Sequence, residues 1–323
     1  MLSKTVATAA SRIGLERQTL VKLAVVLAIL AVDTLWILAS DFTFDVKSAL
    51  RVTAICALLL LAAWFYRARR PMRQFEVMCT ETALLLAFSA AAAMLSYLIT
   101  SLALPLVDME LIALDRALGF DWFVYVGFVN RHPWLGVLSS AAYMTTISQV
   151  ALMLILLGVS NRVETAQRFM SAVMVGGLIC IAFSAILPAA GALAALQPPA
   201  EVVMANHPVV DLSYVQVIFD LRDGTLRALS LDNVYGLIAF PSYHCTLAAL
   251  VVLAAYRLGP AIFWPVLALN VAVILSTPID GGHHLVDGPA GVAVAVLSWR
   301  LVAPRSQALM RLAGDAGQAA PAS

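Results

Sequence analysis

Charge is what this sequence has least of. Only 12% of its 323 residues are Asp, Glu, Lys or Arg, while 62% are hydrophobic. A soluble domain runs at about a quarter charged and about half apolar. The balance excludes an ordinary soluble domain and makes this an integral membrane protein. The net charge of +1 brings no clustered basic face, so no nucleic-acid partner is expected. Cysteine is sparse too. Cys56, Cys79, Cys180 and Cys245 stand singly in or beside apolar runs, with no Cys-x-x-Cys pair. That leaves no zinc-type framework and reads as buried small hydrophobes. No internal repeat is present, and the first apolar run is too near full spanning length for a cleavable signal peptide.

What the chain does have is long apolar runs. A helix needs about 20 such residues to cross hydrocarbon, and open strands cannot cross it. About eight spans are expected, at 20–40, 48–66, 77–104, 134–158, 169–195, 238–258, 260–278 and 284–303. The fold class is all-α, a polytopic membrane helix bundle. With both ends in the cytoplasm, 14 basic residues fall inside and 6 outside, as the positive-inside rule asks. The segment RARRPMR, holding Arg67, Arg69, Arg70 and Arg73, is the strongest inside marker. The expected location is a bacterial inner (plasma) membrane.

Residues 1–75 read as a cytoplasmic segment and two extra spans, 76–303 as a six-span catalytic core, and 304–323 as a disordered cytoplasmic tail. Two outer connections are long. In 105–133, Leu111, Leu114 and Leu118 recur at helical spacing among Asp108, Glu110, Asp115 and Arg116. This predicts an amphipathic helix on the membrane surface, with Trp122 and Trp134 as interfacial anchors. The second, 196–236, is expected to cap the site. Asp33 in the first span and Glu76 and Glu81 in the third read as bundle-facing or interface-reaching carboxylates, with a proton path as the other reading.

Two polar clusters break the apolar pattern, FPSYH at 240–244 and STPIDGGHHLVD at 276–287. They hold three of the five histidines, and the charge count places both on the outer side. Ionisable groups at membrane depth are expensive and mark candidate sites. His283 and Asp287, four residues apart, share one helix face. A carboxylate there fixes the imidazole tautomer and stabilises its cation, as a nucleophilic or general-base histidine requires. His244 is then the natural acid for the leaving group. Pro241 suits a first helical turn, and the free N–H groups after it, with the Ser242 hydroxyl, make an anion cradle. Gly281 and Gly282 let backbone approach a ligand closely. Taken singly, each residue has an ordinary structural explanation, such as a cap for Ser242 or a dipole-favoured first turn for Asp287.

The clusters resemble the second and third signature motifs of the type 2 phosphatidic acid phosphatase superfamily, Pro-Ser-Gly-His and Ser-Arg, five residues, His, three residues, Asp. Here they stand as Pro241-Ser242-Tyr243-His244 and Ser276-Thr277, five residues, His283, three residues, Asp287. Tyr243 in place of glycine and Thr277 in place of arginine resemble the inositol phosphorylceramide synthase-like branch. The first family motif, a lysine then Arg-Pro, has no clear match; Arg222 is favoured over Arg227 as the substitute clamp. The resemblance covers about 105–303.

The resemblance implies a six-helix phosphatase-type core and phosphoryl transfer through a phosphohistidine, with no metal or other cofactor. His283 would attack phosphorus, Asp287 orient it, and His244 protonate the departing oxygen. Ser242, Ser276 and Arg222, with Tyr243 and Gly282 beside them, would hold the phosphoryl oxygens. The implied substrate is a lipid with its head group at the outer interface, and both hydrolase and transferase outcomes stay open. A metal hydrolase built on His283, His284, Asp280 and Asp287 is one rival. A proton-coupled lipid or solute transporter is another, although transporters tend to show paired halves with broken helices, and a catalytically dead scaffold is a third, against which the intact His244, His283 and Asp287 argue.

Overall fold

The computed structural model describes residues 2–232 and 234–303. The expected tail at 304–323, with Arg305 and Arg311, lies outside the described residues, as do the side chains of Lys4 and Arg12.

The chain folds as an all-α bundle. Its order is α1 (Leu2–Leu38), β1 (Thr43–Phe44), α2 (Val46–Ala68), α3 (Arg73–Thr100), α4 (Asp108–Ala117), α5 (Trp122–Asn130), α6 (Pro133–Val159) and α7 (Val163–Ile186). It continues with α8 (Ala192–Leu196), α9 (Ala200–Met204), α10 (Leu212–Asp223), β2 (Ala228–Leu229), α11 (Tyr243–Ala255), α12 (Pro260–Asp280) and α13 (Asp287–Leu301). The two short strands pair in parallel and tie the α1–α2 turn to the long connection before α11.

Among the described residues, six helices are long and apolar enough to cross a membrane: α1 from Glu16 onward, α2, α3, α6, α7 and α12, at 21 to 28 residues each. At about 1.5 Å per residue each reaches roughly the 30 Å of a hydrocarbon core. The other two expected spans are shorter. α11 has 13 residues, continued by one 3₁₀ turn to Leu258, and α13 has 15. Their expected first residues are spent on loops, one containing the cis Phe240–Pro241 bond. α11 is also enclosed rather than lipid-facing: it packs against α6, α7, α12 and α13, with Leu250, Ala248 and Ala254 fully buried. A helix apolar on all sides belongs in such a position. α1 and α2 differ, leaving large side chains such as Leu35, Leu58 and Leu61 exposed.

Close approach of α13 to the start of α11 depends on Gly291. A Cβ there would stand 3.0 Å from the Cβ of Cys245 and nearer still to the Ser242 carbonyl. Small residues let membrane helices pack at this distance. At the opposite end of α13, Arg168 of α7 donates to the Trp299 carbonyl at 2.7 Å.

The surface-helix expectation for 105–133 is corrected. α4 buries Asp108, Leu111, Ile112 and Asp115, while Leu114 and Leu118 are exposed. The inward face is set by the two acids, because each finds backbone N–H donors inside. Trp122 is buried as well, donating its indole N–H to the Pro278 carbonyl at 2.8 Å. Trp134 is exposed. In the second long connection, α10 packs Tyr214, Ile218 and Leu221 against Tyr97 and Leu98 of α3. The Val210 N–H reaches the Asp280 carbonyl at 2.9 Å, so this segment lies directly over the end of α12.

Candidate active site

The site forms where α11 begins, α12 ends and α13 begins. Ser242 is the N-cap of α11 and its hydroxyl accepts from the Cys245 N–H at 3.4 Å. The Ser242 N–H donates to the Asp287 carbonyl at 3.1 Å, pinning the two helix starts together. Pro278 inside α12 has no N–H for the Ile274 carbonyl, and the Thr277 hydroxyl donates to that carbonyl instead at 2.8 Å. The Thr277 carbonyl then receives the N–H groups of Gly281 (3.0 Å) and His283 (3.2 Å), turning the chain back toward α11.

That turn places the His283 ring between two partners. Nδ1 lies 3.0 Å from Asp287 Oδ2, and Nε2 lies 3.2 Å from Ser242 Oγ. A buried carboxylate on Nδ1 requires the proton there, which leaves the Nε2 lone pair to accept from the Ser242 hydroxyl. Burial, then the His284 imidazole next to it, pushes His283 down to about 4, so the ring is neutral. His244, in the first turn of α11, stacks on Tyr143 at 4.4 Å between ring centroids, with Nδ1 3.3 Å from the phenol oxygen. A Cβ on Gly281 would stand 2.6 Å from the His283 ring and 3.0 Å from the Tyr143 hydroxyl. The two imidazoles and the phenol therefore border one small volume.

Behind it lies a cluster that sequence reasoning missed. His284 Nε2 is 3.0 Å from Asp108 Oδ1, and its Nδ1 is 3.8 Å from Asp115 Oδ2. Asp108 also accepts from the N–H groups of Ala190 (3.0 Å) and Gly191 (2.8 Å). Asp115 accepts from Leu285 (2.9 Å) and Val286 (3.0 Å). Burial alone would push His284 down, but Asp108, Asp287 and Asp115 outweigh it and hold the imidazole above its ordinary value. A signal was present: Asp108 and Asp115 are seven residues apart, on one helix face, in a chain where acids are rare. Tyr143 had no such signal. Asp280 is buried as well, accepting from the Ser139 and Ser140 hydroxyls and the Val209 N–H.

Several expected phosphate contacts lie elsewhere. The Tyr243 hydroxyl donates to the Val173 carbonyl at 3.1 Å, because its position in the first turn of α11 points it toward α7. The Ser276 hydroxyl donates to the Val273 carbonyl of its own helix at 2.7 Å. Gly282 adopts φ +63°, and its carbonyl accepts from the Leu193 N–H at 3.2 Å; its openness serves α8 rather than a ligand. Pro241 precedes the Ser242 cap instead of occupying the first helical turn. Arg222 donates to the Leu104 carbonyl at 2.7 Å, in a neighbouring cleft with Pro188, Ala189 and Leu237. Arg227 lies over the Phe42 ring. Three of the four residues of the metal-hydrolase reading diverge, since His283 faces Ser242, His284 faces Asp108, and Asp280 faces Ser139 and Ser140, while Asp287 stays with His283.

A helical membrane bundle with a buried Ser–His–Asp relay and a second histidine beside it has the make-up of a membrane phosphoesterase. The model of the PAP2 superfamily matches residues 109–301, well over half of the chain. The protein belongs to that superfamily. No curated protein and no solved structure gives a significant match. Membership points to a phosphatase-type lipid phosphoesterase held in a membrane, and it leaves α1, α2 and α3 outside the matched region.

Proposed function

We propose that the protein transfers a phosphoryl or phospho-head group from a membrane lipid through a phosphohistidine on His283. The observation that carries this reading is the relay from Ser242 Oγ through the His283 ring to Asp287, with His244 beside it. Nε2 of His283 attacks phosphorus; the N–P bond forms as the P–O bond to the leaving group breaks. The leaving oxygen takes a proton from His244. Asp287 stabilises the positive charge that the ring acquires. In the second half, the O–H of water or an alcohol attacks phosphorus, its proton returns to His244, and the N–P bond breaks. Splitting so slow a reaction into two steps is the general gain of covalent catalysis. The Ser242 hydroxyl and the first-turn amides of α11 are suited to hold the phosphoryl oxygens.

The orientation belongs to the same proposal. The loops that build the site lie at the end of the bundle opposite the arginine-rich α2–α3 turn. The positive-inside count therefore supports an active site facing outside, with both termini cytoplasmic, in a bacterial inner membrane. The transferase outcome has an observation of its own: a buried threonine, Thr277, and not a cation, stands where phosphatase members carry arginine.

The test is to give purified protein a panel of lipid phosphates and phospholipids, with and without an alcohol acceptor. Inorganic phosphate marks a hydrolase and a new phosphodiester a transferase. Alkaline quenching during turnover is expected to trap label on His283. Turnover with no trapped label, and with His283 replaceable at no cost, would remove the covalent route.

A further inference from the structure

Two of the three long helices outside the family match, α1 and α2, help to build a second polar site. At the end of the bundle away from His283, residues of α1, α2, α3 and α7 enclose a cleft of about 460 Å³. That volume lies within the roughly 300–1,000 Å³ typical of small-ligand sites. Arg67, Arg73, Glu16 and Glu76 stand around it, and Gln167 of α7 lines it. α7 runs from Val163 to Ile186, so Gln167 and the catalytic loops packed beyond Ile186 are roughly 30 Å apart.

The inner wall of the cleft has a fixed polarity. Gln167 is 2% exposed and hydrogen-bonds to the buried carboxylate of Glu81, which also engages Lys22 of α1. Both Glu81 oxygens accept from Lys22 Nζ, and such an acceptor pair is matched by the amide nitrogen of Gln167 rather than by its oxygen. Its oxygen is thereby turned away, and among the described residues Gln167 Oε1 has no partner. A buried acceptor left unpaired asks for an explanation, and a bound donor is one. At the mouth, Arg67 pairs with Glu16 at 3.0 Å, whereas Arg73 has no ion-pair partner among the described residues. The cleft thus offers an acceptor within and an uncommitted cation at its edge. The edge belongs to the RARRPMR segment, whose four arginines attract anionic groups at a membrane surface.

We propose that this cleft is a second lipid site, separate from the catalytic one, for a phospholipid whose phosphate meets Arg73 and whose ammonium or hydroxyl donor meets Gln167 Oε1. The proposal does not depend on the phosphoryl-transfer reading, since none of these residues belongs to the His283 cluster. It gives α1 and α2 a role that the matched core does not supply: they close the cleft around a structural or regulatory lipid.

The full-length protein, purified in detergent, is tested by native mass spectrometry. The probes are short-chain phosphatidylethanolamine, its N-trimethylated counterpart phosphatidylcholine, and soluble glycerophosphoethanolamine. Wild type is expected to retain phosphatidylethanolamine about tenfold better than phosphatidylcholine, whose head group has no N–H donor, with the soluble ester weaker than either. Arg73→Gln and Gln167→Leu are each expected to lower phosphatidylethanolamine retention about tenfold while leaving turnover at the catalytic end unchanged. Equal retention by wild type and both variants would overturn the site. No preference between the two lipids would overturn the role of Gln167 Oε1. Binding of the soluble ester as tight as that of the lipid would overturn the lipid as its source.

Discussion

His283 and His284 are neighbours in the chain, yet they belong to two regions that do different work. His283 turns toward α11 and meets one carboxylate and one hydroxyl, Asp287 and Ser242. His284 turns toward α4 and meets two carboxylates, Asp108 and Asp115. The first imidazole is held neutral with Nε2 unprotonated, which is the form a nucleophile needs. The second is held above its ordinary value between acids that also grip the backbone at 190–191 and 285–286. Asp287 joins the two, since its Oδ2 accepts from both His283 Nδ1 and the His284 N–H. The comparison teaches that residue type does not assign the role. The number of carboxylates around each ring does.

The comparison breaks most visibly at His283. His283→Ala is expected to lower turnover by at least about 10³-fold, with the melting temperature nearly unchanged. Full activity in that variant would end the assignment. His244→Gln should follow at about 10²-fold or more, and the loss should shrink for substrates with better leaving groups, because an acid matters less to them. A uniform loss across leaving groups would take His244 out of the acid role.

The other side of the comparison should fail as structure before it fails as chemistry. Asp115→Asn removes a charge facing His284 and weakens the acceptor for two N–H groups. A loss of about 2 kcal/mol in stability is expected, against a rate loss well below that of His283→Ala. A stable protein with His283-like loss of rate would place Asp115 in the chemistry instead.

A subtler effect lies in pH. The folded protein holds His284 above its ordinary value of 6.5, so its contribution is complete below that pH and is lost as pH rises through the raised value. The melting-temperature gap between wild type and His284→Gln should therefore be widest in mild acid and close toward alkaline pH. A gap that widens with pH would reverse the sign of the argument. The smallest effect is expected at Arg222, outside the relay: Arg222→Lys should retain most activity and Arg222→Ala somewhat less. A loss as deep as that of His244→Gln would mean that the arginine swings from Leu104 into the site.

The spacing of His283 and Asp287 was readable because a helical turn makes it a local fact. The Ser242 cap was readable for the same reason. Tyr243 and Ser276 were misjudged because motif proximity says nothing about which side of a helix faces the pocket. α4 was misjudged differently. Leu111, Leu114 and Leu118 suggested a helix lying on the membrane surface with its acids outward, but Asp108 and Asp115 are buried in the protein and only Leu114 and Leu118 are exposed.

Composition and run length were sufficient to determine a membrane-embedded helical protein, its apolar segments, and two polar clusters that lipid would not tolerate without purpose. Only the tertiary structure decided which helices are enclosed, that α11 and α13 run through the bundle as helices shorter than the expected spans, and that an acid at 108 meets a histidine at 284. The physical reason is that lipid and protein interior are equally apolar. The period of the hydrophobic pattern therefore cannot say which face of a helix turns inward, and only packing between distant segments can.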